Sequence, residues 1–234
     1  MRGIEAVLLD AGGVLMLPSH EPVRAALEAV GHVIDGARID AAHYAGMRGL
    51  DAAPPGAFDW RDYLRAYVRT LEVPEPRRAA AIARLRERFD DSATLWRRPI
   101  PGVGAALGAL AARGLRLGVV SNAEGTCQAR LAELAICQVG PGRGAPVEVV
   151  VDSHRVGVEK PDPAIFGFAL RAMDLDPARC IYVGDSVRID VAGARAAGLT
   201  PILLDPHDRA VTSARRVRAL GDVLDLLSAG SPPR

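Results

Sequence analysis

Strand-like runs recur along this chain of 234 residues, and they stop at a glycine or a polar residue. Ala6-Val7-Leu8-Leu9 stops at Asp10, with Ala11-Gly12-Gly13 as punctuation. Leu115–Val120 stops at Ser121-Asn122, and Cys180–Val183 stops at Gly184-Asp185. Val147–Val151 and Pro201–Leu204 complete a set of five. Runs this short, bounded by turn residues, read as strands buried on both faces. Helical stretches alternate with them. These are Val103–Arg113, closed by Gly114; Thr126–Leu134; a segment opened by Lys160-Pro161-Asp162-Pro163 and reaching about Met173; Ile189–Ala197, closed by Gly198; and Val223–Leu227. Proline in a first turn is a start signal, and glycine after a last turn is a stop signal. Val139–Pro146, rich in Gly and Pro, reads as an exposed loop. Such alternation requires right-handed crossovers, and so a doubly wound, Rossmann-like parallel sheet in an α/β fold. Ligands of these folds sit at the carboxyl ends of the strands. That selects Asp10, Ser121, Asn122 and Asp185, with Lys160 at a helix start.

One region breaks the alternation. From about Pro18 to Arg98 there is no strand signal, only helical stretches near Glu21–Val30, Ala37–Leu50, Phe58–Leu71 and Glu75–Asp90. Gly31, Ala53-Pro54-Pro55-Gly56 and Val73-Pro74 separate them. In the third, Trp60, Tyr63, Leu64, Tyr67 and Leu71 recur at helical spacing and form an apolar face. Residues 17–97 carry 12 basic and 12 acidic side chains, so the insert has no net charge. Pro99-Ile100-Pro101-Gly102 marks the return to alternation. The expected organisation is a Rossmann-like core from residues 1–16 and 98–234, with a small all-helical domain inserted at 17–97.

Hydrophobic residues make up 49% of the chain and charged residues 24%, which excludes disorder and a disulfide scaffold. A net charge of +1 leaves no electrostatic footprint for nucleic acid. The apolar runs are too short to span a bilayer. Met1-Arg2-Gly3-Ile4-Glu5 leads into the first strand with no signal peptide, so a cytoplasmic protein without a membrane partner is expected. Cys127, Cys137 and Cys180 lie in no metal-type spacing and read as reduced thiols. Of 29 basic residues one is lysine, Lys160, and the rest are arginine. A compact ammonium on a flexible stem does what a planar guanidinium cannot, so this single lysine invites a functional reading.

Each selected residue has a plain reading beside a chemical one. Asp10, at the end of a buried strand before two glycines, suits a nucleophile or metal ligand, and also a turn opener. Ser121 can hold an anion near a helix start, or simply cap that helix. Asp185 with Asp190 offers hard oxygen ligands of the kind Mg²⁺ takes, or two caps. Taken together they explain one another. Asp10 and Asp185 at neighbouring strand ends repel, and a Mg²⁺ ion with Lys160 compensates them. A phosphoryl group then finds cationic and hydrogen-bonding partners for its oxygens.

The segments Val7-Leu8-Leu9-Asp10-Ala11-Gly12-Gly13-Val14-Leu15, Val119-Val120-Ser121-Asn122, Lys160-Pro161-Asp162-Pro163 and Val183-Gly184-Asp185-Ser186 with Asp190 occur in that order. In this conjunction the chain resembles the haloacid dehalogenase superfamily, mostly phosphohydrolases. Gly193-Ala194 and Ala197-Gly198-Leu199 resemble its usual ending, and the insert resembles its helical cap of the first class. The resemblance implies a Mg²⁺-dependent phosphohydrolase acting on a small phosphorylated metabolite through an aspartyl-phosphate, as a monomer or homodimer. It implies Asp10 as nucleophile and magnesium ligand, and Ser121 as the group binding the transferring phosphoryl, with Asn122 and Gly13 beside it. Lys160 stabilises Asp10 and the phosphoryl charge. Asp185, Asp190 and the Gly12 carbonyl complete the metal site, Asp190 directly or through water.

One position departs from the pattern. Family phosphatases usually carry a second aspartate two residues after the nucleophile, as general acid–base, and here that residue is Gly12. The substitutes are a bound water, Glu124, or a residue of the insert such as His20 or His43. Arg48, Trp60 and Tyr63 are candidates for leaving-group recognition. A phosphate loop of the Gly-Lys type is excluded because the one lysine follows Glu159. The phosphonate-cleaving branch needs an insert lysine, which is absent. The carbon–halogen branch also lacks the second aspartate, but it uses no magnesium. Two alternatives therefore stand beside the phosphatase: a 2-haloacid dehalogenase-type hydrolase and a catalytically impaired binding protein of this fold.

Overall fold

A computed structural model of the chain describes residues 3–53 and 59–228. Phe58 and the Pro54-Pro55-Gly56 break lie outside the described residues. The chain forms two compact units, one from Met1–Leu15 with Pro99–Arg234, the other from Met16–Arg98.

The first unit is built on one six-stranded, wholly parallel sheet. Its strands, in chain order, are β1 (Ala6–Leu9), β2 (Arg116–Ser121), β3 (Val149–Asp152), β4 (Cys180–Gly184), β5 (Thr200–Leu204) and β6 (Arg215–Val217). The spatial order is β6-β5-β4-β1-β2-β3. The chain thus winds outward from β1 in both directions, and the strand order reverses beside β1. In open α/β sheets that reversal is where ligands bind. All residues of β1 and β4 are buried, as continuous apolar runs between two helix layers require. Leu9 is level with Val119 on one side and Val183 on the other. Asp10, Ser121 and Asp185 therefore leave three adjacent strands at about the same height.

The alternating core helices are Val103–Ala112, Cys127–Glu133, Ala164–Ala172 and Ala192–Ala196. One core cluster shows how they pack. Phe166 and Ala169, from the helix after Lys160, meet Leu8, Val120 and Tyr182 of the sheet.

Three details differ from the sequence reading. The stretch read as a loop over Val139–Pro146 begins and ends in a small paired ribbon, Cys137–Val139 against Ala145–Val147. The Gln138 side chain closes it, accepting from the Gly144 amide at 2.7 Å and donating to the Gly144 carbonyl at 3.0 Å. The sixth strand, Arg215–Val217, has no apolar run; its two arginines are exposed and only Val217 is buried. The helix read over Ile189–Ala197 is a wide π turn, Val187–Val191, followed by Ala192–Ala196.

The second unit contains helices His20–Glu28, Gly36–Asp51, Trp60–Thr70 and Glu75–Asp90. Asp35 and Asp59 cap the second and third by accepting from Ala37 and Arg61 amides. Tyr63, Leu64, Tyr67 and Leu71 are buried as the helical spacing predicts, whereas Trp60 is 46% exposed. Among the described residues no helix is long and apolar enough to cross a membrane.

Candidate active site

Asp10 immediately follows β1, and its amide donates to the Val183 carbonyl at 2.9 Å, which locks it to β4. Among the described residues two hydrogen bonds fall on Oδ1 of its carboxylate. The Ala11 amide donates at 2.8 Å and Lys160 Nζ lies at 2.9 Å. Oδ2 is thereby left on the other side of the carboxylate. Gly13 turns the chain away with φ of +69°, a conformation open to glycine at little cost. Gly12 is half-buried and is not among the residues with positive φ.

Lys160 is 3% exposed. Besides Asp10 its ammonium meets Asp190 Oδ1 at 2.7 Å and the Tyr182 hydroxyl at 2.8 Å. Its backbone is held by Asn122, which accepts from the Lys160 amide at 2.8 Å and donates to its carbonyl at 2.9 Å. The Asn122 side chain is thus engaged in placing the lysine segment, and the Lys160–Pro161 peptide is cis.

The π turn explains the acidic pair. Such turns are frequent at functional sites because they redirect a side chain. Here the turn brings Asp190 back over its own strand end, where Oδ2 accepts from the amides of Asp185 at 3.0 Å and Ser186 at 2.9 Å. Gly184 permits this approach, since a Cβ there would lie 2.3 Å from the Asp190 carboxyl carbon. Ser186 caps the turn, accepting from Ile189 at 3.1 Å. Ligand oxygens of Asp10, Asp185 and Asp190 lie within 4.8 Å of one another, all three buried.

Burial pushes the Asp10 carboxyl up to about 7; Lys160 pulls it down, and Asp190 and Asp185 push it up again. Lys160 moves above its ordinary value, because the attraction of Asp10 and Asp190 together with its hydrogen bonds outweighs the burial that opposes it. Three carboxylates facing one ammonium leave an excess of negative charge in a dry site. An all-oxygen donor set with that excess fits a hard divalent cation such as Mg²⁺.

Ser121, 4% exposed, ends β2 level with Asp152 of β3. Asp152 was not singled out from the sequence, although it stands where the strand-end rule points. Its carboxylate accepts from the amides of Gly125, Cys127 and His154 and so shapes the turn after Ser121. Ser153 Oγ adds a bond to the Ala123 amide at 3.1 Å. Tyr182 also escaped, because on a buried strand a tyrosine reads as core. Burial, ahead of the nearby carboxylates, pushes its hydroxyl well above the ordinary range, so it stays protonated.

The residues of the insert fall differently. His43 is 2% exposed, with Nδ1 2.9 Å from the Tyr63 hydroxyl and edge contacts to Tyr44 and Trp96. Tyr63 is 1% exposed and packs against Trp60, Tyr67 and Phe89. Both build the interior of the helical unit. His20 Nε2 sits 2.8 Å from Asp40, which also pairs with Arg98. Arg48 lies 3.3 Å from Asp51. Glu124 is exposed on the turn after Ser121.

Comparison with known proteins matches the haloacid dehalogenase-like hydrolase family over residues 4–198. The chain is 33% identical over 184 residues to haloacid dehalogenase-like hydrolase domain-containing protein 3 of Mus musculus, covering 74% of this chain and 70% of that protein. It is 33% identical over 177 residues to the phosphoserine phosphatase of Thermus thermophilus, covering 74% and 66%. Matches to other curated relatives span as little as 31% of the relative's length. The HAD-hydrolase YfnB of Bacillus subtilis bound to magnesium has a similar fold, with a TM-score of 0.58 at 16% identity over 97% of this chain and 100% of that one. The match over residues 4–198 takes in every strand end that carries a selected residue, and by it this chain belongs to the haloacid dehalogenase-like hydrolases.

Proposed function

We propose that the chain is a magnesium-dependent phosphohydrolase that transfers the phosphoryl group of a small phosphorylated metabolite to Asp10 and then to water. The observation that carries this reading is the state of Asp10. Its Oδ1 is held by Lys160 and the Ala11 amide, and its Oδ2 is left to attack. In the first step an Oδ2–P bond forms and the P–O bond to the leaving group breaks, with that oxygen taking a proton. In the second step water attacks phosphorus, the acyl phosphate bond breaks, and Asp10 returns as carboxylate with inorganic phosphate released. Ser121 and the amides of the turn after it hold the phosphoryl oxygens. Asn122 serves through its backbone amide and through its grip on Lys160, and Gly13 presents its amide.

Asp10, Asp185 and the Gly12 carbonyl would hold the cation, whose bound charge offsets that of the phosphoryl oxygens. Asp190 adds negative charge while fixing Lys160 and the 184–186 turn. The helical unit is the cap that selects the leaving group. A relative named phosphoserine phosphatase supports a small phosphate monoester as substrate class. Three buried free cysteines support a reducing compartment, the cytoplasm.

The test is phosphate release from an aryl phosphate and a panel of sugar phosphates, nucleotides and small organic phosphates, with Mg²⁺ and with chelator. Metal-dependent release and trapping of labelled phosphate on Asp10 are expected. Chloride release from a 2-haloacid without metal would instead assign the dehalogenase, and inertness towards every substrate would leave a binding protein.

A further inference from the structure

We propose that Tyr182 is a positioning residue for Lys160, deepening the phosphohydrolase reading on which its kinetic arm rests. An ammonium has three N–H donors. All three of Lys160 are committed, to Asp10 Oδ1 at 2.9 Å, Asp190 Oδ1 at 2.7 Å and the Tyr182 hydroxyl at 2.8 Å. None remains for a phosphoryl oxygen, so Lys160 acts on the transferring group through Asp10. Its direction then decides where the Asp10 carboxylate faces.

Two carboxylates alone pull the ammonium towards their own side. The third donor is taken by an oxygen that cannot follow it. Tyr182 carries one hydroxyl proton and donates it to the Val120 carbonyl at 2.8 Å, which turns a lone pair to Lys160. The contact with Asp190 Oδ1 is longer, 3.3 Å. The ring is fully buried and meets Phe166 edge-on at 4.9 Å, so the hydroxyl has no other place to go. Val120 immediately precedes Ser121, and Tyr182 stands three residues before Asp185. One hydroxyl therefore ties the lysine to the strand that carries the phosphoryl-binding serine and the strand that carries the metal acid.

Lys160 is the one lysine of the chain, so protein labelled with [ζ-¹⁵N]lysine gives one side-chain ammonium signal. In wild type that signal is expected to persist at neutral pH, because the group is dry and triply bonded, and to show a nuclear Overhauser contact with the Tyr182 ring. In Tyr182→Phe it should shift and broaden. Tyr67→Phe is the control, since the buried Tyr67 hydroxyl has no hydrogen-bond partner among the described residues; there the signal and the kinetics should match wild type. Tyr182→Phe should lower kcat about ten- to a hundredfold, the scale of an ångström of misplacement, with KM little changed because Tyr182 does not touch substrate. An unchanged ammonium signal in that variant overturns the proposal, as does a kcat equal to wild type or a loss confined to KM. If the variant does not fold, absence of the ring contact in wild type overturns it and presence supports it. If wild type releases no phosphate from any ester, the phosphohydrolase reading falls, and the ammonium signal alone decides the role of Tyr182.

Discussion

At the scale of single residues, the site trades stability for reactivity, and Asp10 shows it. Its carboxyl is pushed up to about 7, chiefly by burial and against the pull of Lys160. In the unfolded chain it ionises near the ordinary carboxylate value. Between those two values the folded state holds a proton that the unfolded state has lost. Stability from this group therefore falls as pH rises through the window and levels off above about 7. Asp10→Asn removes the ionisation. In chelator it should raise stability on the order of 2–4 kcal/mol above pH 7, about half that near pH 5.5, and little near pH 4. Phosphate release should vanish, because an amide is a poor nucleophile. Urea midpoints at the three pH values measure the first effect. A variant less stable than wild type above pH 7 would mean that the Lys160 attraction dominates.

Gly12 is the other residue with a sharp expectation. It lies outside the positive-φ set, so its backbone does not demand glycine as that of Gly13 does. General acid–base catalysis contributes about 10²–10⁴ in rate. Wild type should be slow on alkyl phosphates and less affected on an aryl phosphate, whose leaving group needs little protonation. Gly12→Asp should speed alkyl phosphates selectively. Equal change on both substrates, in a folded variant, would mean that another group already supplies the proton.

At the scale of elements, what could be read in the sequence follows from where the apolar signal is strong. The first five strands in chain order are short apolar runs, and the ends of β1, β2 and β4 located Asp10, Ser121 and Asp185. The sixth strand, Arg-Arg-Val at one edge of the sheet, buries only Val217 and so leaves no apolar run to read. The ribbon at 137–147 hides behind three glycines and two prolines. Tyr182 and Asp152 were missed for a different reason. Tyr182 meets Lys160 22 residues away and Asp152 meets Gly125 and Cys127 25–27 residues away, contacts that only the folded sheet makes. Asp152 carries a prediction at this scale, because it accepts the amides that shape the turn between β2 and the following helix. Asp152→Ala strands those donors and should cost on the order of 2–4 kcal/mol, while Asp152→Asn, which keeps one acceptor oxygen, should cost less. KM for a phosphate ester should rise more in Ala than in Asn, since the turn follows Ser121. Denaturant midpoints within 0.5 kcal/mol of wild type, an order-of-magnitude noise level for surface changes, would show that Asp152 does not hold the turn.

At the scale of the whole molecule, the chain distributes its natural probes unevenly between two units. Trp60 and Trp96 both lie within Met16–Arg98, whereas Cys127, Cys137 and Cys180 all lie in the sheet-bearing unit. The thiols are buried, and burial pushes Cys137 up to about 12 and Cys180 up to about 11, so they react slowly until the sheet opens. Tryptophan fluorescence thus reports the helical unit and thiol labelling the other. A cation held by Asp10 and Asp185 would bind only the folded sheet unit and would stabilise it by mass action, about 2.7 kcal/mol at a hundredfold excess over Kd. Mg²⁺ should therefore move the thiol transition up by several degrees, at about 2–4 °C per kcal/mol for a chain of this size. The tryptophan transition should move less, because each unit has its own interior. Protons compete with the cation for Asp10, so the shift should be larger at pH 8 than at pH 6. Asp185→Ala should abolish it at both. Thiol and tryptophan transitions rising together would show that the two units unfold as one cooperative body. A thiol transition indifferent to Mg²⁺ at pH 8 would remove the metal from the site.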